Sequence, residues 1–250
     1  MSIGKKNKPR IVISLMMLML MMGYACADKN RKQPPIAKDG VIDLSQWDFN
    51  RDGPVELRGE WRFAWQEFVE PMPIGELRDR YQDQIQVPAV WTSQPNNLKP
   101  GENLPPTGFG TYMLEVKLAP NSLSGNLPLA IKLNNVWSAA EIEIIDKDGK
   151  IILGQTNLGL PSEKVETEQP FLVTNIGKVA RADDHTIIVF MRISNYLDIR
   201  GGTYWAPQWG THQSLKLEWV SSFVRSLFLI GALMILGLYH LVVYAQRQED

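Results

Sequence analysis

The chain has 250 residues, 26 Lys+Arg against 27 Asp+Glu and a formal net charge of −1, with apolar ends and a polar middle. Residues 28–218 hold 20 basic and 25 acidic side chains, a net charge of about −5, which speaks against a nucleic-acid partner. One cysteine excludes an intrachain disulfide, so a domain of this size must be stable through its core alone.

The first apolar stretch reads as an export signal. Lys5, Lys6, Lys8 and Arg10 precede IVISLMMLMLMMGYA, the order of a signal peptide over residues 1–27. Ala25-Cys26-Ala27 fits an ordinary signal peptidase site, whereas Gly23-Tyr24-Ala25-Cys26 resembles a loose lipobox that would place a lipid on Cys26. An uncleaved segment, forming a second membrane helix, is the third reading. Residues 28–40, which include DKNRKQPPIAKD, form a polar, Pro-containing linker.

The fold begins at Val41-Ile42-Asp43-Leu44. Asp48-Phe-Asn50-Arg-Asp52-Gly53 has the alternating oxygen ligands that open a calcium loop, but Gly59 occupies the twelfth position, where a bidentate Glu belongs. A metal-free turn is therefore expected. Val55 to Trp65 alternates with the period of a strand buried on one face, and Trp91 follows a short strand at Gln84 to Pro88, so Trp61, Trp65 and Trp91 read as core. Phe68 to Tyr81 is the best soluble-helix candidate, interrupted by Pro71 and Pro73.

Short strands follow. Tyr112, Leu114, Val116 and Leu118 share one face, with Met113, Glu115 and Lys117 on the other. Leu129, Ile131 and Leu133, then Ile142 and Ile144, repeat the pattern. Asp146-Lys-Asp-Gly149 reads as a hairpin turn, with Lys150 to Leu153 as the return strand and Phe171-Leu-Val-Thr as another short strand. Ile187 to Ile193 is nearly all apolar, as expected of a central strand buried on both faces. Short strands, polar loops and no helical repeat predict a mostly β, antiparallel sandwich over residues 41–218.

The last apolar stretch, SLFLIGALMILGLYHLVVYA from Ser226 to Ala245, lacks any Asp, Glu, Lys or Arg. At about 1.5 Å per residue it spans about 30 Å, the hydrocarbon thickness of a bilayer. Trp219, Tyr239 and Tyr244 sit near its ends, so residues 222–245 are predicted to cross a membrane and residues 246–250 to end in the cytoplasm. His240 lies near the end of this span, where a neutral interfacial histidine is the simple reading.

No nucleophile elbow, His-Glu-x-x-His, P-loop or thiol nucleophile is present, and no catalytic residue, metal or cofactor is expected. Glu60, Glu67, Asp183 and Asp184 are the carboxylates that could hide a glycosidase pair, yet nothing in their spacing joins them. Binding is the better reading. Aromatic faces stack on sugar rings, while Asn and Arg reach their hydroxyls. Asn134, Asn135 and Trp137 follow one strand, and Asn195, Tyr196, Arg200, Tyr204 and Trp205 follow another, at strand ends where sandwich loops gather. The Arg200-Gly201-Gly202 stretch also reads as a tight turn that packs Trp205 and Trp209 on the domain and couples it to the helix.

Five pieces in order, Gly59-Glu-Trp61-Arg-Phe63, Val87-Pro88-x-x-Trp91, Gly108-x-Gly110-Thr-Tyr112, Asp148-Gly149-Lys150 and Phe171-Leu-Val-Thr, resemble the galactose-binding-like jelly roll of glycosidases of the β-glucuronidase type. Ser194-Asn195 through Arg200-Gly201-Gly202 to Trp205-x-Pro207, then Gly210 and the helix ending Gly237-Leu-Tyr239-His240-x-x-x-Tyr244, narrow the match. Together they resemble the bacterial seven-transmembrane receptors with diverse intracellular signalling modules, in their type 2 extracellular domain. That resemblance implies a periplasmic sensor on a bacterial inner membrane. It also implies a small-molecule or carbohydrate ligand, further membrane helices and a signalling effector, none of which is assigned to these residues. The alternatives are a membrane-tethered carbohydrate-binding or enzyme-accessory module, and a structural envelope lipoprotein anchored through Cys26.

Overall fold

The longest strand pairs along both of its edges. In the computed structural model, which describes residues 32–120, 128–134, 139–170, 174–179 and 185–247, β6 (Gly108–Leu118) pairs antiparallel with β12 (Thr186–Asn195) along ten residue pairs, from Lys117↔Thr186 to Gly108↔Asn195. The opposite edge of β6 is shared. Here β3 (Gly59–Trp65) lies antiparallel against Gly110 to Met113, and β1 (Val41–Leu44) lies parallel against Glu115 to Leu118. The β1 pairing departs from the antiparallel expectation: β1 enters without a hairpin and fills the part of the β6 edge that β3 leaves open.

The full path of this sheet is β10 (Gln169–Pro170), β9 (Ile152–Leu160), β8 (Ala139–Asp146), β12, β6, β3 and β4 (Gln84–Val87). A second sheet runs β11 (Asn175–Lys178), β7 (Leu129–Leu133), β14 (Gln208–Thr211) and β2 (Val55–Glu56). A two-stranded ribbon joins β5 (Ala89–Val90) to β13 (Gly202–Thr203).

Alternation sets the layers. Tyr112, Leu114 and Val116 of β6 share a core with Ile131 of β7, Trp209 of β14 and Val55 of β2, all buried. Each large side chain removed from water contributes roughly 1.5–3 kcal/mol. The other face of the first sheet is covered too: Met113, Ile145, Ile188 and Phe190 pack under Val69, Met72 and Leu77. Strand β12, between β6 and β8, is therefore buried on both faces, as its composition predicts.

The cover is a strap, Glu67 to Tyr81, whose only α-helix is α1 (Ile74–Arg80). Pro71 and Pro73 confine the helix to the seven residues Ile74–Arg80, so the longer predicted helix over Phe68 to Tyr81 is corrected here. Arg78 of α1 makes a two-pronged ion pair with the buried Glu115, at 2.7 Å to Oε1 and 2.6 Å to Oε2. Thr111 Oγ1 accepts from Val69 N and donates to Glu67 O, and the Arg192 guanidinium donates to Val69 O and to Glu143.

The Asp146–Gly149 turn forms as expected, with Gly149 at φ +71° donating to Asp146 O. The Asp146 carboxylate also accepts from the backbone N–H groups of Lys150 and Ile151. The return strand therefore starts at Ile152, later than the predicted Lys150, and runs on to Leu160.

Helix α2 (His212–Arg247) has 36 residues and starts ten residues before the predicted span. Thr211 caps it: its Oγ1 accepts from Ser214 N at 3.1 Å and donates to Ser214 Oγ at 2.8 Å. Leu215 is buried against the domain, and it is the one buried residue of the helix among the described residues. By length and composition α2 can cross a membrane, with a mean hydropathy of 2.3 over its most apolar stretch and none of that stretch buried. The signal segment 1–27, Cys26, Asn135, Trp137, the strand at 171–173, Asp183 and Asp184, and residues 248–250 of the predicted cytoplasmic end lie outside the described residues.

Candidate functional site

The chain leaving β12 forms a self-contained loop. Asn195 is buried, and its Nδ2 donates to Pro106 O and Asp198 O, both at 2.7 Å, while its Oδ1 accepts from Asp198 N. Its amide, expected from sequence to meet a ligand, here holds the loop. Tyr196 is half-buried; its hydroxyl donates to Ser162 O, and burial followed by the nearby Glu168 pushes that phenol up from its ordinary value.

Arg200 lies 5.3 Å over the Tyr204 ring and 3.4 Å from Asp198 Oδ1. Trp205 is 57% exposed, and Asn134 is half-buried just past the end of β7. The structure brings Arg200 and Tyr204 together, but no described contact joins either to Asn134. Trp209, by contrast, is fully buried between the sheets.

The two glycines after Arg200 hold the ribbon against Trp91. Gly202 sits at φ +106°, and a Cβ on Gly201 would lie 2.2 Å from Trp91 Cε3. Trp91 N donates to Gly201 O, and its indole N–H donates to the Tyr112 hydroxyl at 2.6 Å. Complete burial pushes that phenol upward. From Thr203 the chain passes through Ala206 and Pro207, whose carbonyl accepts from Leu57 N, into β14 and then α2.

A cleft of about 400 Å³ opens between the end of β3, the stretch that joins α1 to β4 and the loop at 95–104. Trp65, Glu67, Arg80, Tyr81, Asn97 and Leu98 are among its walls. Trp65, expected in the core, is only half-buried, because it is the last residue of β3 and the sandwich ends there. Its ring rests on Gly108, where a Cβ would lie 2.6 Å from Trp65 Cη2, and stands edge-on to Trp91. Trp61 and Trp91 are core, as expected.

Polar groups converge on the same cleft. Tyr81 donates its hydroxyl to Glu67 Oε1 at 2.6 Å, and Arg80 lies 3.6 Å from the same oxygen and 5.4 Å over the Tyr81 ring. Burial, then the hydrogen bond to Glu67, pushes the Tyr81 phenol up to about 12. Of the four carboxylates singled out from sequence, Glu67 lines this cleft, and Glu60 accepts from Asp39 N elsewhere. Among the described residues no three His, Cys, Asp or Glu side chains form a metal-binding group. The Asp48–Gly53 turn is tied by Asp48 N donating to Asp52 Oδ2 and by an Arg51–Asp52 ion pair. The cleft therefore offers an aromatic wall, a carboxylate, a guanidinium and amides: groups for binding a polar ring. Sequence reasoning misses it because its walls come from three separated segments, 63–67, 80–85 and 95–104.

No family model matches the chain, and no curated protein matches it. Among solved structures it is similar to a Faecalibacterium prausnitzii β-glucuronidase, at 16% identity and a TM-score of 0.38, over 58% of this chain and 21% of that one. It is also similar to an uncultured Clostridium sp. β-glucuronidase, at 13% identity and a TM-score of 0.41, over 63% of this chain and 29% of that one. A third is a GH2 β-galacturonidase from Eisenbergiella tayi bound to galacturonate, at 13% identity and a TM-score of 0.38, over 62% and 24%. The chain spans under a third of the length of these proteins, and at such scores the likeness carries no argument about ligand or activity.

Proposed function

We propose that this chain is the extracytoplasmic, carbohydrate-sensing part of a bacterial membrane receptor: a galactose-binding-like jelly roll in the periplasm, joined through α2 to the inner membrane. The observation that carries this reading is the continuity of β14 into α2. Thr211 ends the strand and caps the helix, and one uninterrupted helix of 36 residues then leaves the domain. At about 1.5 Å per residue it is about 54 Å long, more than a bilayer core requires. Roughly its first ten residues then stand between domain and membrane.

Such a helix passes a rotation or shift of the domain into the membrane. The cleft has a packed route to it: Trp65 on Trp91, Trp91 on Gly201, and the ribbon at Gly202–Thr203 leading into β14. Ligand binding acts by favouring one seating of this chain of contacts over another. The resemblance to seven-transmembrane receptors supplies the remainder of the proposal: α2 is the first helix of a larger bundle that controls an effector.

Hydrogen exchange of the full chain in lipid nanodiscs, with and without saturating methyl β-D-glucoside and methyl β-D-galactoside, tests the sensing step. Altered exchange both in the cleft and at residues 201–219 is expected. A change confined to the cleft would contradict the receptor and favour a tethered carbohydrate-binding module without a signalling role.

A further inference from the structure

Resting on the reading of this domain as a sugar sensor, we propose that its ligand site is the cleft at the ends of β3 and β4, and that this site selects neutral pyranose rings over uronic acids. Three observations carry the proposal. The first is the fixed aromatic wall. Trp65 is held by Gly108 on one side and by Trp91 edge-on, so its orientation is set before any ligand arrives. A preset aromatic surface binds the apolar C–H face of a sugar without first losing rotamer freedom.

The second is the pairing of acceptor and donor. Tyr81 donates to Glu67 Oε1 and Arg80 lies 3.6 Å from it, so the carboxylate and the guanidinium stand side by side. A carboxylate has about four lone-pair sites and a guanidinium five N–H donors, so both keep capacity for a ligand. Neighbouring sugar hydroxyls, each donor and acceptor at once, match that arrangement. The cleft volume of about 400 Å³ lies within the roughly 300–1,000 Å³ of small-molecule pockets.

The third is charge. The ionisable groups lining the cleft are Glu67 and Asp83 against Arg80, besides the Tyr81 phenol, which stays neutral at ordinary pH. The guanidinium that a ligand carboxylate would need already faces Glu67. A uronate therefore meets net negative charge, and a neutral ring does not.

The test uses the full chain in nanodiscs on an array of neutral, N-acetylated and uronate-terminated glycans, followed by calorimetric titration with methyl β-D-glucoside, methyl β-D-galactoside and glucuronate. At least one neutral glycan should bind, with glucuronate at least tenfold weaker. Trp65→Ala should weaken binding at least tenfold, and Leu197→Ser, in the loop after β12, should leave it unchanged. Glu67→Gln keeps the shape of the site and is the safeguard against misfolding of the tryptophan variant. It should weaken the neutral ligand and strengthen glucuronate, since Arg80 is then released. Absence of any neutral-sugar binding, tighter binding of glucuronate by the parent chain, or unchanged affinity in both cleft variants would overturn the proposal. Crossing of the membrane by α2 is measured separately by thiol labelling, so failure here and failure of the receptor reading can be told apart.

Discussion

Trp65 and Trp91 meet edge to face, with ring centroids 4.9 Å apart and planes at 79°. One belongs to the wall of the cleft; the other is fully buried and touches the ribbon that leads to the membrane helix. This contact joins the wall of the cleft to a buried ring packed on the ribbon.

Gly201→Ala places a methyl group 2.2 Å from Trp91 Cε3 and 2.3 Å from Pro106 O. Neither the buried indole nor the backbone carbonyl can move away cheaply. Overpacking of this kind costs about 1–3 kcal/mol. Thermal unfolding of the solubilised full chain should show Tm lower by roughly 2–4 °C for each kcal/mol lost. An unchanged Tm would mean that Trp91 is not wedged against the ribbon.

The buried Glu115 makes the Arg78 pair a sensitive point of α1. Arg78→Ala leaves the buried carboxylate without its half-exposed partner and should destabilise the domain by about 1–3 kcal/mol. The double variant Arg78→Met, Glu115→Leu should recover most of that loss, because an apolar pair of similar volume replaces the ion pair. Denaturant midpoints of the three variants against the parent check both statements. α1 also positions Arg80 and Tyr81, so the single variant should weaken ligand binding as well.

Thr211→Ala removes the side-chain cap of α2. A lost cap of this type costs about 1 kcal/mol. Amide exchange at Ser214 should accelerate about fivefold, as that energy implies, while exchange within 226–245 stays unchanged. Equal acceleration along the whole helix would show that the cap does more than fix its first turn.

Alkaline pH tests the environment of Tyr81. The folded chain holds the phenolic proton up to about 12, chiefly through burial and then through Glu67, whereas an unfolded tyrosine loses it near 10. Between those values the folded state binds more protons than the unfolded state. The Tyr81 contribution is thus intact below about pH 10 and is lost as pH rises toward 12. Tyr81→Phe should flatten the fall of stability across that window, read from denaturation midpoints at successive pH values. Tyr112, also shifted upward by burial, keeps part of the slope in the variant.

Local pattern makes much of the fold legible in the sequence. The alternation of Tyr112, Leu114, Val116 and Leu118 sets which side of β6 faces the core, and the run Ile187–Ile193 marks a strand covered on both faces. The Asp146–Gly149 turn depends on residues close in the chain, so sequence suffices. The cleft is not legible for the opposite reason. Trp65, Glu67, Arg80 and Asn97 are brought together by β3–β4 pairing and by docking of α1 through Arg78. Trp65 shares the phase of Trp61 and Phe63 and so reads as core; only its place at the end of β3, where the second sheet no longer covers it, exposes it. Asn195 reads as a donor for ligands, but the carbonyls of Pro106 and Asp198 claim its amide. The long start of α2 is hidden as well, because polar residues such as Gln213 and Lys216 interrupt the apolar run while Thr211 and Ser214 still close a helical turn.

The β domain is proposed to stand outside a membrane that α2 crosses. Single cysteines placed along 213–247 in a Cys26→Ser background, probed in intact spheroplasts with a membrane-impermeant maleimide, test it most directly. Labelling is expected at Lys216, protection from Ser226 to Ala245, and labelling at Gln246 only after the membrane is opened. Labelling throughout Ser226 to Ala245, or at Lys216 and Gln246 alike before opening, would contradict it.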